Sequence, residues 1–331
     1  MARGQAHTKH LIDCHVHLAA LPDARNGCLV SARMLRSPLF RFLLWKHDLP
    51  PSDPVAANHK YVASLLGELR ASRHVAKAVL LGMDGVYDRE GRPDLQDTDF
   101  LVSNDYVLRI AGEHPNEFLA GVSINPQRRD AVDEVHRCAD AGATLVKVLP
   151  NSQQFDPATK RFTPFYRALA ERGLPLLSHV GYEFSLIGKD QSLGDPERLR
   201  LALDEGATVI AAHGCSYGLM IYEKFFPTFR KLVAEYRHFY ADISALTLLN
   251  RFVMLLRLRR EPSLQKRLLY GTDYPLPVFH FPAWGRVGWR PLRQVLATKN
   301  RFDRMYLVCK GLGLKFGSLE QALPSRAKKR R

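Results

Sequence analysis

The feature that most constrains the fold of this chain is a regular alternation of short apolar runs with helical patterns. Eight runs are rich in aliphatic residues, and a segment with helical periodicity follows each of them. Short apolar runs separated by helices are typical of parallel strands that are buried on both faces. The predicted strands cover residues 11–15, 76–83, 119–124, 144–149, 175–179, 208–213, 238–243 and 267–272. Eight strand–helix units in 331 residues predict an α/β fold, a closed (β/α)8 or TIM barrel.

The intervening helices and the start of the chain support the same fold. The predicted helices cover residues 57–73, 100–114, 129–141, 164–172, 196–205, 223–237, 246–260 and 292–309. The alternative is a doubly wound open sheet, which usually carries a glycine-rich phosphate loop after its first strand. Here the first strand runs into His15-Val16-His17 instead, which favours the barrel.

Six residues with metal-binding or acid–base side chains lie at or just beyond the C-terminal ends of predicted strands. They are His15, His17, Lys147, His179, His213 and Asp273. Barrel enzymes place their chemistry at this face of the barrel. In an extended strand, side chains two residues apart project to the same side, so His15 and His17 can bind one ion. With a third imidazole and a late carboxylate they form a nitrogen and oxygen site that suits Zn, Mn, Fe or Ni.

Taken singly, each of these residues has a structural explanation. His179 or His213 alone is more often a hydrogen-bonded core histidine, and Asp273 before Tyr-Pro could cap a turn. Their joint position at strand ends favours the metal site. Asp242 ends the seventh predicted strand and is left without a role.

Two segments are too long for ordinary strand–helix connections. Segment 18–56 contains an apolar stretch with interspersed cations at 34–46, and segment 275–289 carries Phe279, Phe281, Trp284 and Trp289. We expect a lid from the first and an aromatic wall from the second. A basic amphipathic contact with a membrane is the alternative for the first segment, and simple packing of the two segments on each other is the alternative for both.

The bulk composition bounds the class of protein. Five widely spaced cysteines without a CxxC pair argue against a disulfide scaffold and predict a reducing, cytoplasmic location. The net charge of +15 would suit anionic partners, but no nucleic-acid motif accompanies it. We expect one barrel domain over residues 1–320 and a basic, disordered tail over 321–331.

With these residues in view, the chain resembles the amidohydrolase superfamily, and within it the amidohydrolase-related group of single-barrel enzymes. The matching phrases are Asp13-Cys14-His15-Val16-His17, Val146-Lys147-Val148-Leu149-Pro150, Gly173-Leu174-Pro175-Leu176-Leu177-Ser178-His179, Ala212-His213-Gly214 and Gly271-Thr272-Asp273-Tyr274-Pro275. An HxH pair alone is a weak signal. The order HxH, His, His and Asp, each at a strand end, is a specific one.

The resemblance implies roles for each residue. His15, His17, His179 and Asp273 would bind one divalent metal ion, with Zn expected, Mn, Fe or Ni as alternatives and a second ion less expected. Asp273 would also act as the general base. His213 would polarise the substrate or steady the attacking water. Lys147 would either be carboxylated and bridge two ions, or hold a substrate carboxylate as a point charge.

These roles imply a metal-dependent hydrolase that acts on C–N or C–O bonds of a small organic substrate through an activated water. The alternative is non-oxidative decarboxylation of an aromatic or unsaturated acid at the same site. The two long segments and the basic charge suggest an aromatic or anionic substrate. A basic scaffold for a membrane or nucleic acid is a third hypothesis. We expect no specific nucleic-acid partner, do not favour peripheral membrane contact, and regard a homo-oligomer as compatible with the sequence.

Overall fold

All eight predicted strands are present and form one parallel barrel. The computed structural model describes residues 10–184, 186 and 188–323. The barrel strands are β1 Leu11–His17, β2 Val75–Leu81, β3 Phe118–Ser123, β4 Ala143–Val148, β5 Leu176–Ser178, β6 Val209–Ala211, β7 Phe239–Asp242 and β8 Leu268–Leu269. They pair in sequence order from β1 to β8. The barrel closes where the Cys14 N–H donates to the Tyr270 carbonyl at 3.0 Å, so the predicted (β/α)8 fold is confirmed.

Each predicted helix has a counterpart, but four further helices among the described residues lie outside the predicted ranges and several bounds differ, such as 246–260, where the helix begins only at Phe252. Their bounds are α1 Ala32–Arg36, α2 Pro38–Lys46, α3 Pro54–Ala71, α4 Asn104–Glu113, α5 Ala131–Asp140, α6 Pro150–Gln153, α7 Thr163–Arg172, α8 Arg200–Asp204, α9 Phe226–Glu235, α10 Phe252–Leu258, α11 Pro262–Gln265, α12 Trp289–Ala297 and α13 Arg301–Gly311. The predicted helix 100–114 begins later, because Phe100–Leu101 pairs with Leu29–Val30 and Ser103 caps α4. The predicted helix 292–309 is wrong, because Asn300 caps a new helix, α13.

Apolar side chains cover both faces of the barrel strands. Side chains from alternate strand positions, such as Cys14, Leu145 and Leu177, form a cluster inside the barrel. A larger cluster lies between the strands and the surrounding helices. This double burial is why the strands read as continuous apolar runs in the sequence. None of the helices in the described part of the chain is both long and apolar enough to cross a membrane.

The insertion 18–56 lies across the segments that leave β1 and β8. Residues of α2, including Phe40, Leu43 and Leu44, line an apolar cavity of about 70 Å³ together with Tyr61 of α3 and Pro275 after β8. The insertion is anchored at its other end, where Ser31 Oγ donates to Asp99 Oδ1 at 2.7 Å. Its position beside the C-terminal ends of two strands is compatible with the predicted lid, which remains a prediction.

The C-terminal part of the chain returns to the barrel. Residues Leu319–Gln321 form a short 3-10 helix, and Ala322 is buried against the interior cluster. The Tyr240 hydroxyl donates to the Gln321 carbonyl at 2.8 Å. Residues 324–331, which carry the cations of the predicted basic tail, lie outside the described residues. The division into a domain at 1–320 and a tail therefore stays a prediction.

Candidate functional site

His15 and His17 enter the site through an irregularity in β1. The pairing of β1 with β2 shifts register between Asp13 and Val16. As a result Cys14 packs inside the barrel, whereas Val16 packs in the outer layer. Such irregularities redirect side chains next to functional sites. The two imidazole rings lie close together, with centroids 5.1 Å apart, as the HxH spacing predicts.

Asp273, which follows β8, contacts both histidines through one carboxylate oxygen. Its Oδ1 lies 3.3 Å from His15 Nε2 and 3.1 Å from His17 Nε2. The Asp273 backbone has a φ of 68°, in the left-handed region that non-glycine residues rarely adopt. Its N–H donates to the His15 carbonyl at 2.9 Å, and this bond helps to hold the strained turn.

Gly271 leaves room for this arrangement. A Cβ atom at this position would lie 3.1 Å from the His15 Cβ and 3.3 Å from the Ser244 Cβ. These separations are tighter than side chains normally tolerate without displacement. The glycine before Thr272-Asp273 therefore allows β8 to approach the residues that build the site.

Asp242 at the end of β7, which the sequence analysis left without a role, is a central residue of the site. Its Oδ2 lies 2.7 Å from His15 Nδ1, and its Oδ1 accepts from the His213 backbone N–H at 2.9 Å. Oδ1 also accepts from the N–H and the hydroxyl of Ser244. The signal that could have found it was its position, since it ends a parallel strand at the same edge as the predicted ligands.

The hydrogen bonds around Asp242 assign the tautomers of three histidines. An ionised carboxylate only accepts, so His15 carries its proton on Nδ1. His213 Nδ1 lies 2.8 Å from Ser244 Oγ and 3.3 Å from the Ser244 carbonyl, which only accepts, so this nitrogen is also protonated. His213 Nε2 is then an acceptor, and His179 Nδ1 donates to it at 3.2 Å.

This chain of donors leaves lone pairs where a metal ligand needs them. His15 Nε2 and His179 Nε2 are both unprotonated in these tautomers. Lys147 Nζ lies 3.4 Å from His15 Nε2, whereas His179 Nε2 is buried without a hydrogen-bond partner among the described residues. Carboxylate-oriented imidazoles of this kind are typical of metal sites. Within the described residues, ligand atoms of His15, His17 and Asp273 lie within 4.8 Å of one another, as do those of His15, His213 and Asp242. These residues fit a divalent metal ion.

The predicted ligands are not equally close. His15, His17 and Asp273 form one compact group, whereas His179 reaches it through His213. The rings of His15 and His213 lie 5.2 Å apart, and those of His179 and His213 lie 5.0 Å apart. All four histidines and Asp273 therefore meet at one end of the barrel.

Burial sets the charge states of the site. Burial, with the nearby charge of Arg251, lowers the pKa of His179 and of His213 well below the ordinary value, which keeps both imidazoles neutral. Burial alone would raise the pKa of Asp273, but the contacts with His15 and His17 hold it well below its usual range. Neutral imidazoles and an ionised carboxylate are the forms that bind a metal ion.

Lys147, at the end of β4, points into the same cluster. Its side chain is only 1% exposed, and its Nζ lies 3.4 Å from His15 Nε2. Burial lowers the pKa of Lys147 to about 8. A lysine with this pKa has an accessible neutral form near physiological pH, and only the neutral amine reacts as a nucleophile.

Arg251, just before α10, is a buried cation that the sequence analysis did not single out. Its guanidinium donates to the carbonyls of Val180, Tyr182 and Ser216 at 3.4, 2.9 and 3.2 Å. These carbonyls belong to the segments that follow His179 and His213. Among the described residues it forms no ion pair within 4 Å. Arg251 therefore joins two connections of the site through its planar fork.

The predicted aromatic wall is only partly formed. Phe281 packs against Phe252 of α10, with ring centroids 5.2 Å apart, and Phe279 lies 6.1 Å from Phe281. Trp284 and Trp289 are exposed to solvent. A substrate-facing role for the phenylalanines stays a prediction.

A family model described as amidohydrolase matches residues 12–301, so the chain belongs to the amidohydrolase family. No curated protein sequence matches the chain. The resemblance seen in the strand-end phrases is thereby confirmed, since the match spans all of them.

Solved structures share the barrel. An uncharacterized TIM-barrel protein from Bordetella bronchiseptica is 19% identical and has a TM-score of 0.58, with 94% of this chain and 99% of that chain covered. A 2,6-dihydroxybenzoate decarboxylase in complex with 2,6-dihydroxybenzoate is 13% identical, with a TM-score of 0.51 and coverages of 92% and 100%. A 5-carboxyvanillate decarboxylase from Novosphingobium aromaticivorans, in complex with manganese and 4-hydroxy-3-methoxy-5-nitrobenzoic acid, is 15% identical, with a TM-score of 0.51 and coverages of 96% and 96%. At these identities the similarity establishes the fold alone.

Proposed function

We propose that this protein is a metal-dependent hydrolase that cleaves a C–N or C–O bond of a small organic substrate. The observation that carries the proposal is that His15 Nε2, left unprotonated because Nδ1 donates to Asp242, lies with His17 Nε2 within 3.3 Å of one Asp273 carboxylate oxygen at the C-terminal end of the barrel. One divalent ion, with zinc as the expected metal, would be held by His15, His17, His179 and Asp273. Such an ion supplies Lewis-acid polarisation and lowers the pKa of water to about 7.

Asp273 is proposed to take the proton from the attacking water. Its contacts with His15 and His17 both involve Oδ1, so Oδ2 is the oxygen that remains for proton transfer. The protonated His213 Nδ1 lies 4.0 Å from Oδ2, beyond hydrogen-bond distance. A positioned carboxylate of this kind typically contributes about 10²–10⁴-fold to the rate.

His213 is proposed to act mainly by orienting His179. Both of its ring nitrogens take part in the network, one with Ser244 and one with His179. It would therefore keep His179 in the tautomer that presents Nε2. Polarisation of the substrate by His213, which the resemblance implies, would require one of these bonds to open.

Lys147 is proposed to hold an anionic group of the substrate as an unmodified lysine. It is buried beside His15, and among the described residues it forms no ion pair within 4 Å. A carboxylated Lys147 that bridges two ions is the alternative. Metal content of a Lys147→Met variant separates the two, because loss of a bridge would halve the metal bound per chain, whereas an unmodified lysine would leave it unchanged.

Decarboxylation of an aromatic acid is the second candidate function. The observation that favours it is a pair of buried cations, Lys147 and Arg251, at 1% and 4% exposure, which could hold a departing carboxylate. Two solved structures with this fold are named as decarboxylases, one in complex with 2,6-dihydroxybenzoate and the other with 4-hydroxy-3-methoxy-5-nitrobenzoic acid.

One experiment tests the metal site and then the reaction. Metal per chain is measured by plasma mass spectrometry for the parent, for a His15→Ala/His17→Ala variant and for a His59→Ala control, in which an exposed histidine of α3 is removed. We expect about one ion in the parent and the control and none in the double variant. Equal metal content in all three would refute the site.

The loaded protein is then incubated with esters, amides and lactones, and separately with hydroxybenzoates. Acid release from the first group supports hydrolysis. Release of CO₂ from the hydroxybenzoates, with no turnover of the first group, would replace the hydrolase proposal with the decarboxylase.

A further inference from the structure

Helix α2 has an unusual outer face. Its inner face carries Phe40, Leu43 and Leu44, which line the apolar cavity against the barrel. An outer face of a surface helix is normally polar. Here Trp45 is 76% exposed and Phe42 is 50% exposed, and their rings lie 5.9 Å apart. Leu35 on the neighbouring α1 adds a third exposed apolar side chain.

The chain segment that forms α1 and α2 carries charges of one sign only. Between Asp23 and Asp48 the chain has five cations and no acidic residue. The five are Arg25, Arg33, Arg36, Arg41 and Lys46. Arg33 pairs with Asp99, whereas Arg36, Arg41 and Lys46 are exposed and form no ion pair with a described residue. On α2, with about 3.6 residues per turn, Arg41, Trp45, Phe42 and Lys46 follow one another around an arc of about 140°, so the two cations flank the two aromatic side chains on one half of the helix.

We propose that this face of α1 and α2 docks on a bilayer that contains anionic phospholipids. Aromatic side chains between cations suit the region between lipid headgroups and acyl chains, where Trp inserts its ring and Lys or Arg meets the phosphates. Exposed Phe42, Trp45 and Leu35 would enter the apolar boundary, and Arg36, Arg41 and Lys46 would lie at the headgroups. The protein would be held at the bilayer surface by this short helix.

Charge complementarity selects this partner over a second copy of the chain. A two-fold dimer brings the same patch of each subunit together. Such an interface would bring Arg36, Arg41 and Lys46 of both copies together without an acidic residue from this stretch to compensate. Repulsion between these like charges would oppose association of the two copies. An anionic lipid surface compensates the same cations.

The docking face lies beside the candidate site. The cavity beneath α2 is also lined by Ala19, two residues after His17, and by Pro275, two residues after Asp273. A bilayer against α2 would therefore border the end of the barrel that carries the histidines. The inference does not depend on the reaction proposed above, since it rests on α1 and α2 alone.

Co-sedimentation of the full-length protein with vesicles tests the proposal. Vesicles of phosphatidylcholine alone are compared with vesicles that also contain phosphatidylglycerol. We expect binding to the anionic vesicles only, and a loss of binding at high salt because the Debye length falls to about 3 Å at 1 M. An Arg41→Gln/Lys46→Gln variant should bind about 30-fold more weakly, from about 1 kcal/mol per cation.

The matched controls are on α12, which also carries exposed cations and an exposed tryptophan. Phe42→Ser/Trp45→Ser should abolish binding, whereas Trp289→Ser should not, although Trp289 is 70% exposed. Arg290→Gln/Arg293→Gln removes the same charge from a different surface and should leave vesicle binding unchanged. Circular dichroism of each variant checks that the fold is retained.

Four results would overturn the proposal. One is equal binding to neutral and anionic vesicles, and another is loss of binding in the α12 variants alone. The third is a dimer in sedimentation equilibrium that Phe42→Ser/Trp45→Ser converts to a monomer, with no vesicle binding by the parent. Competition by a single-stranded oligonucleotide that needs Trp45 and Arg41 would assign the same face to nucleic acid instead.

Discussion

Replacement of Asp242 by asparagine tests the tautomer assignment at the centre of the site. The Asp242 carboxylate is fully buried and accepts hydrogen bonds from His15, His213 and Ser244. Asparagine keeps one acceptor oxygen but places an NH₂ donor where the other was. If the oxygen stays with His213 and Ser244, the amide NH₂ faces His15 Nδ1 and favours the imidazole tautomer with its proton on Nε2. That tautomer cannot bind a metal ion through Nε2.

The expected size of the effect follows from the position of Asp242 behind a ligand. Removal of a carboxylate that orients a metal-binding histidine typically lowers metal affinity about 10–100-fold, or about 1.4–2.7 kcal/mol. The apo protein should also lose stability, because a buried hydrogen bond to a charged group contributes roughly 1.5–3 kcal/mol. The assay is zinc competition against a chromophoric chelator, together with urea denaturation of the apo protein.

Asp84→Asn is the matched control. Asp84 is also a buried carboxylate beyond a strand end, and it accepts from the backbone N–H groups of Gly85 and Asn125. It contacts none of the four histidines in the hydrogen bonds of the described residues. Its variant should lose stability and keep its zinc affinity. If Asp242→Asn bound zinc as tightly as the parent, the tautomer argument would be refuted, whatever happened to stability.

Three further predictions concern packing, positioning and pH. Gly271→Ala should lower the free energy of unfolding by about 1–3 kcal/mol, because the new Cβ crowds His15, and a urea-denaturation curve equal to that of the parent would contradict this. Arg251→Lys keeps the charge, but a lysine lacks the planar guanidinium that donates to three carbonyls. We therefore expect a lower melting temperature, and an unchanged melting temperature would contradict this. Burial would raise the pKa of Glu134, but hydrogen bonds, chiefly from Arg137, lower it below the ordinary 4.5. The ionised Glu134 therefore stabilises the folded state above pH 4.5, and this stabilisation is lost as the pH falls through the folded-state pKa. Glu134→Gln should therefore be less stable than the parent at neutral pH, and the difference in urea midpoint should shrink in acid; a difference independent of pH would contradict the assignment.

The strand ends show how much of the site could be predicted from sequence. His15, His17, Lys147, His179, His213 and Asp273 were recognisable because each follows an apolar run, and parallel strands of a barrel end at one face. Asp242 has the same position, but it could not be assigned a role. Its role depends on which histidine nitrogen it meets, and that contact joins residues 227 positions apart.

Other features were beyond prediction for a similar reason. The register shift within β1 depends on how β1 pairs with β2, and nothing in the local sequence requires it. The break between α12 and α13 was missed because apolar periodicity continues across it, whereas the Asn300 cap sets the boundary. The exposure of Trp45 could not be predicted either, because an amphipathic pattern does not show which apolar residues face inward.

The sequence by itself determined the eight barrel strands, the helices that alternate with them, the barrel they form and the edge at which the polar residues gather. These follow from periodicity and burial, which act over a few residues at a time. Only the tertiary structure decided the tautomers, the shared use of Asp273 Oδ1 by two histidines and the role of Asp242. Hydrogen bonds depend on distances of a few tenths of an ångström between groups far apart in the chain, and only closure of the barrel sets those distances.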